Sequence, residues 1–290
     1  VSLSKSADFE HIVTHADHFR CGSTLLLSPT SETLSVVTHP GDEYGEDASM
    51  RLTDFNVLTF DCYGTLIDWE TGILASLRPL LSNIPSTLSE DVVLEVYAEA
   101  ESAQENETPT MRYSELLQNV YRNLARHWGT EVSEQECVSF GNSVAEWPAF
   151  EDSCASLHYL KQHYKLVILS NVDRKSFAGS NQKLQVEFDA IYTAEDIGSY
   201  KPDRRNFDYL VSHLRSDFGI EKPHILHTAQ SLFHDHVPAN AAGLATAWID
   251  RRHDKNGWGA TKPPPSEAKI DFHFHSLADL VKAHQHEMDS

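Results

Sequence analysis

The stretch Asn56-Val57-Leu58-Thr59-Phe60-Asp61-Cys62-Tyr63-Gly64-Thr65-Leu66 decides how the chain is read. A short apolar run rich in β-formers predicts a buried strand over 56–60. It ends at a carboxylate, Asp61, followed by a glycine that permits a tight turn and close backbone approach. An Asp exposed at a strand end beside free backbone N–H groups can attack an electrophile. Such an attack forms an ester and leaves a second, easier hydrolytic step. Taken alone, an Asp there is more often a turn or cap residue, so the rest of the chain has to carry the reading.

Further apolar runs follow at Leu166 to Leu169, ending at Ser170, at Ile225 to Ala229, at Ala245 to Ile249 and at Phe272 to Phe274. They alternate with helical stretches, which predicts α/β architecture: a doubly wound, Rossmann-like parallel sheet with helices on both faces. In such sheets the carboxyl ends of the strands carry the site. Between residues 69 and 150 strand signals stop. Val92, Val93, Val96, Tyr97 and Ala100 predict one amphipathic helix after a Ser89 cap, and Leu116, Leu117, Val120, Tyr121 and Leu124 predict another. A third is expected from Ser133, with Glu136 closing a capping box and Cys137, Phe140 and Val144 buried. The expected organisation is a core of 50–68 and 151–290 with a helical cap of 69–150 inserted after the first strand. Pro263-Pro264-Pro265 is a stiff spacer, and a final helix is expected from Ser276.

Residues 1–49 are polar, contain His11, His15, His18 and His39, and sustain no apolar period, so they are expected to be a poorly ordered extension. Met50 lies just before the first strand, and an expected alternative start there would leave residues 1–49 outside the natural protein.

Composition narrows the function. The 290 residues are 40% hydrophobic and carry a formal charge of −20. That charge argues against nucleic acid or an anionic membrane and favours a small-molecule substrate. Cys21, Cys62, Cys137 and Cys154 form no CxxC pair, so neither a zinc site nor a disulfide framework is indicated. With no run of about 18 apolar residues and no signal-peptide pattern, the expected location is the cytoplasm. A homodimer is the oligomer to test for.

Four segments together resemble the haloacid dehalogenase superfamily over roughly residues 50 to 285. Asp61 to Thr65 is similar to its first motif, Leu169-Ser170-Asn171 to its second, Lys201-Pro202-Asp203 to its third, and the segment through Asp235 to its fourth. The resemblance implies Asp61 as nucleophile, Ser170 and Asn171 as substrate or leaving-group ligands, and Lys201 as the cation offsetting the carboxylates. Tyr63 stands where the family's phosphatases carry a second Asp, and Ser231 stands where they present another acid. Both departures weaken phosphoryl transfer and a Mg²⁺ site.

The phrase Asp-x-Tyr-Gly-Thr is what the L-2-haloacid dehalogenases carry, which implies metal-free, cofactor-free hydrolysis of a carbon–halogen bond. Their cap arginine has no counterpart in the helix from Val92 to Glu101, and Arg78 and Arg112 sit in no recognisable motif. Their fourth motif has Ser and Asn where this chain has Gln230 and Leu232.

Asp235 is expected to activate the hydrolytic water, and His234 is a candidate base or anion donor. His236 is expected to cap a helix or face solvent. Of Trp69, Tyr97, Trp128, Trp147 and Phe150, Trp69 is the best candidate to line a pocket, with Tyr63 and Thr65 beside it. Arg204 and Arg205 are read as a solvated helix start, and Cys62 as a packing residue. The alternatives are a Mg²⁺-dependent phosphatase that lacks its second Asp and a binding protein on the same fold.

Overall fold

The computed structural model describes residues 50–85 and 87–290, so the expectations for residues 1–49 lie outside it. Six parallel strands form one sheet: β1 (Val57–Phe60), β2 (Lys165–Ser170), β3 (Ala190–Thr193), β4 (Ile225–Ala229), β5 (Ala245–Ile249) and β6 (Phe272–Phe274). Their order is β3-β2-β1-β4-β5-β6. The chain winds outward from β1 through β2 to β3, then crosses back to β4 and winds the other way. The crevice at the carboxyl ends of β1 and β4 is therefore the switch point at which such sheets bind ligands.

Side chains alternate between the two faces with the strand period of two. Leu58, Phe60, Leu166 and Ile168 join one buried cluster, with α5 (Ser153–Leu160), α6 (Arg174–Leu184) and α10 (Leu277–Met288) supplying its helical side. Val57, Val167, Leu169 and Ile225 join the other, with α8 (Arg204–Phe218) and α9 (Val237–Ala241). A single turn, α7 (Ala194–Ile197), follows β3. Burial on both faces accounts for the nearly continuous apolar runs by which these strands are recognised.

The one strand absent from the sequence reading is β3. It is a four-residue edge strand whose Ile191 is exposed, so neither a long apolar run nor strict alternation marks it.

Four helices lie between β1 and α5: α1 (Trp69–Leu81), α2 (Glu90–Glu107), α3 (Tyr113–His127) and α4 (Glu134–Gly141). Their starts follow capping chemistry. Asp68 accepts from the Thr71 N–H, Ser89 accepts from the Val92 N–H, and Ser133 with Glu136 forms the expected reciprocal box. Trp69, Ile73, Leu116, Tyr121 and Phe140 enter the same buried cluster as one face of the sheet.

The buried face of α2 corrects the sequence reading. Val92 is 42% exposed, whereas Val93, Leu94, Tyr97, Ala98, Glu101 and Glu105 are buried. The face is turned by about one residue, and its C-terminal half is polar. That rotation carries two acids inward.

Candidate active site

The loop after β1 is built to present one carboxylate. The Asp61 N–H donates to the Thr228 carbonyl of β4 at 3.1 Å, which extends the sheet register by one residue past Phe60. The chain then turns sharply: the Leu66 and Ile67 N–H groups both donate to the Cys62 carbonyl, at 2.8 and 2.9 Å. Gly64 takes a φ of +91°, and a Cβ there would stand 2.9 Å from Trp69 Nε1. Both the backbone angle and the close indole therefore require glycine. Thr65 Oγ1 donates to Asp61 Oδ2 at 2.8 Å and accepts from the Gln230 N–H at 2.9 Å.

Arg251, which no motif marks, holds the same loop. Its guanidinium donates twice to the Thr65 carbonyl, at 3.2 and 3.0 Å, pairs with Asp152 at 3.0 Å and lies 4.1 Å from the centre of the Phe150 ring. Its signal in the sequence is its position just beyond the carboxyl end of β5.

Lys201 stands between two carboxylates. Its ammonium donates to Asp61 Oδ1 at 2.9 Å, Asp235 Oδ1 at 2.6 Å and the Leu169 carbonyl at 3.0 Å, and the side chain is 1% exposed. An ammonium has three donors, and all three are used. Asn171 fixes the lysine's backbone: Oδ1 accepts the Lys201 N–H at 2.6 Å, and Nδ2 donates to the Lys201 carbonyl at 3.0 Å.

Asp235 sits in one turn of π-helix, Leu232–His236. The Asp235 and His236 N–H groups share the Ser231 carbonyl, at 3.1 and 3.3 Å. The widened turn carries His234, Asp235 and His236 inward together, a use of π turns common at functional sites. His227, in the middle of β4, was also missed. Its Nε2 lies 3.0 Å from Asp235 Oδ1 and its Nδ1 2.9 Å from Thr59 Oγ1. A histidine inside an otherwise apolar strand is the signal that could have found it.

Electrostatics follow from these contacts. Burial raises the Asp61 carboxyl above its ordinary range, and the Lys201 ammonium opposes that rise. Burial also disfavours ionised Asp235, but Lys201 and then His227 outweigh it and hold that carboxyl well below the usual range. Burial would strip Lys201 of its proton, yet Asp235 and Asp61 together raise it above its ordinary value. Burial lowers both His234 and His236 to about 4, so both are neutral at pH 7. His236 corrects the expectation of a cap or a solvated side chain: it is fully buried, and its Nε2 donates to the Ala229 carbonyl at 2.8 Å. Cys62 is fully buried and its thiol is pushed well up, which suits packing rather than reaction.

Above Asp61 lies a small cavity of about 30 Å³, space for roughly two waters. Tyr63, Trp69, Asn171, Lys201, His234 and Asp235 line it with Asp61. Thr65 touches Asp61 without reaching the cavity wall. Ser170 ends β2 with its hydroxyl buried and unpartnered, and is not brought to the wall either. Of the aromatic candidates, only Trp69 reaches the wall. Trp147 packs edge-on against Tyr63 at 5.8 Å, and the Tyr63 hydroxyl is bound to Ser180 Oγ at 2.8 Å.

The far wall holds the two acids of α2. Glu101 Oε1 accepts the Tyr97 hydroxyl at 2.8 Å and the Tyr113 hydroxyl at 2.5 Å. Glu105 Oε1 accepts Asn171 Nδ2 at 3.2 Å, and its Oε2 lies 4.0 Å from His234 Nε2. Burial lifts Glu101 to about 7, and burial with the neighbouring Glu101 lifts Glu105 well above its usual value. Among the described residues no arginine lines the cavity; Arg112 is exposed and pairs with Glu195.

A divalent cation does not fit this arrangement. Asp61 Oδ1 and Asp235 Oδ1 are both turned onto the Lys201 ammonium, and among the described residues no three His, Cys, Asp or Glu side chains converge on one point.

A parallel α/β sheet with a carboxylate–lysine–carboxylate array at its switch point defines a class of hydrolase fold, and sequence comparison places the chain within it. The model of haloacid dehalogenase-like hydrolases matches residues 55–227, and the chain belongs to that family.

Among solved structures, an L-2-haloacid dehalogenase superposes with a TM-score of 0.63 at 23% identity, covering 79% of this chain and 98% of its own. The L-2-haloacid dehalogenase of Xanthobacter autotrophicus with chloropropionic acid covalently bound gives 0.64 at 17% identity, covering 79% and 97%. The HAD hydrolase YfnB from Bacillus subtilis, bound to magnesium, gives 0.62 at 18% identity, covering 80% and 99%. At these identities the likeness is one of fold. Comparison with curated protein sequences finds no match. Among the described residues no helix is long and apolar enough to cross a membrane.

Proposed function

We propose that this protein is a hydrolase in which Asp61 is the nucleophile, cleaving a carbon–halogen bond through a covalent ester as the L-2-haloacid dehalogenases do. The observation that carries the reading is the Asp61–Lys201–Asp235 array opening onto a small cavity with tyrosine, not an acid, at position 63.

In the first step Asp61 attacks the halogen-bearing carbon in line. The new C–O bond forms as the carbon–halogen bond breaks, and halide leaves with the bonding pair. Halide needs no proton, so Tyr63 in place of an acid is no handicap. An alkoxide leaving group would need one. Lys201 favours the ionised form of the attacking carboxylate and so opposes the effect of its burial. The Trp69 indole, beside Gly64 at the cavity wall, is the N–H donor suited to the departing halide.

In the second step water attacks the Asp61 carbonyl carbon, releasing the alcohol and restoring the carboxylate. Asp235 Oδ2, buried and without a hydrogen-bond partner among the described residues, is the acceptor available to orient and deprotonate that water. Room for roughly two waters is too little for a substrate, so entry requires the α1–α4 insert to move away, and its return shields the ester.

Halide and phosphate release from halogenated and phosphorylated small molecules, with and without EDTA, tests the reading. Halide release that persists in EDTA and vanishes in Asp61→Asn supports it. EDTA-sensitive phosphate release overturns it in favour of the phosphatase alternative.

A further inference from the structure

We propose that Glu101 and Glu105 on α2, facing the unpartnered acceptors His234 Nε2 and Asp235 Oδ2 across the cavity, select a substrate carrying an organic ammonium group. The inference rests on the Asp61 cavity being the reaction site, and it names the charge class of what enters.

Among the described residues the cavity has no free cation for a substrate carboxylate. Lys201 is the one permanently charged cation they bring to its wall, and its three donors are spent on Asp61, Asp235 and Leu169. Four carboxyl groups line the same space: Asp61, Asp235, Glu101 and Glu105. A bare carboxylate entering would face them with no cation among the described residues to pair with, and burying an unpaired charge is costly.

The polar atoms left over are acceptors. Asp235 Oδ2 has no partner among the described residues. With the His234 proton assigned to Nδ1, which lies 3.3 Å from Ser231 Oγ and 3.4 Å from Thr261 Oγ1, its unpartnered Nε2 is a second acceptor. The second oxygen of Glu105 lies 4.0 Å from that nitrogen.

An ammonium brings three donors and one positive charge, which fits the vacant acceptors and the excess of acids at once. The walls suit it too, because Trp69 and Tyr113 are among the lining residues and aromatic rings attract cations. Burial lifts both glutamates toward protonation, so an arriving cation would restore their charge and be paired by it.

The test separates binding from chemistry. Ethylammonium, acetamide and acetate are titrated into the full chain at matched ionic strength, with melting temperature as readout, for wild type, Glu101→Gln, Glu105→Gln and Asp61→Asn. The glutamines keep size and hydrogen bonding, and unliganded melting curves show that the variants fold. The expected result is a saturable rise with ethylammonium, an apparent affinity at least about tenfold weaker in each glutamine variant, and no rise with acetate. Acetate stabilising as well as ethylammonium, or glutamine variants that bind ethylammonium unchanged, overturns the inference.

Halide release from 3-chloropropylammonium and 3-chloropropionate then distinguishes the two readings. Glutamate-dependent ammonium binding with no halide from either compound leaves the inference standing and removes the carbon–halogen reading. Asp61-dependent release favouring 3-chloropropionate does the reverse.

Discussion

Replacing Glu101 by Gln should stabilise the protein in mild base and lose that advantage in acid. Glu101 is 4% exposed, and burial raises its carboxyl from 4.5 to about 7. Between those values the unfolded chain gives up the proton while the folded chain keeps it. Folded stability therefore declines as pH rises through that window. At about 1.36 kcal/mol for each tenfold difference in proton affinity, the full cost above pH 7 is about 3 kcal/mol.

Glutamine cannot ionise, and its amide oxygen still accepts the Tyr97 and Tyr113 hydroxyls that Glu101 accepts. The stability of the variant relative to wild type should accordingly grow by about 2 kcal/mol from pH 5 to pH 8. Urea unfolding of both proteins at several pH values reads this directly, with the slope against urea confirming that the denatured state is unchanged. A difference that stays flat across pH, or a variant less stable than wild type at pH 8, would show that Glu101 is ionised and stabilised in the fold, and the argument from burial would fail.

Lys201→Met should cost about 3–5 kcal/mol by leaving Asp61 and Asp235 buried without their shared cation, and should abolish turnover; chemical unfolding at pH 7 measures the first and halide release the second. Gly64→Ala should destabilise by about 1–2 kcal/mol, because φ is +91° and the new methyl meets the Trp69 indole, with the cost read from the shift of the urea midpoint. Arg251→Ala should loosen the Asp61 loop by removing two donors from the Thr65 carbonyl. We expect a turnover number at least about tenfold lower, with ammonium binding retained, as steady-state kinetics and melting shifts would show. Cys62 should resist alkylation by iodoacetamide in the folded protein and react on unfolding, which peptide mass spectrometry checks.

The fold was legible because two-sided burial writes itself as apolar runs, and five of the six strands lie where those runs fall. The site was legible where a strand ends in a polar residue: Asp61 after β1, Asn171 after β2 and Asp235 after β4 all converge on Lys201 or its backbone.

Glu101 and Glu105 were not legible. Acids on the second half of an amphipathic helix normally face water, and only Tyr113, Asn171 and His234, from other elements, show that these do not. His227 was hidden for a similar reason: its partners are Thr59, on the neighbouring strand β1, and Asp235, in the π turn after β4. His236 was misread because a regular helix would have turned it outward, whereas the π turn keeps it inside. Periodicity reports which face a residue occupies, and it is silent about polar groups whose burial depends on partners distant in sequence.

The central claim is that Asp61 forms the covalent ester. Turnover in H₂¹⁸O of whichever halogenated compound releases halide, followed by mass spectrometry of the peptide that contains Asp61, tests it most directly. Water attacking the ester carbon must leave ¹⁸O in the Asp61 carboxylate, so the account predicts a labelled Asp61 after several turnovers. An unlabelled Asp61 alongside a product alcohol that carries solvent ¹⁸O from the first turnover would mean direct attack by water, and would contradict it.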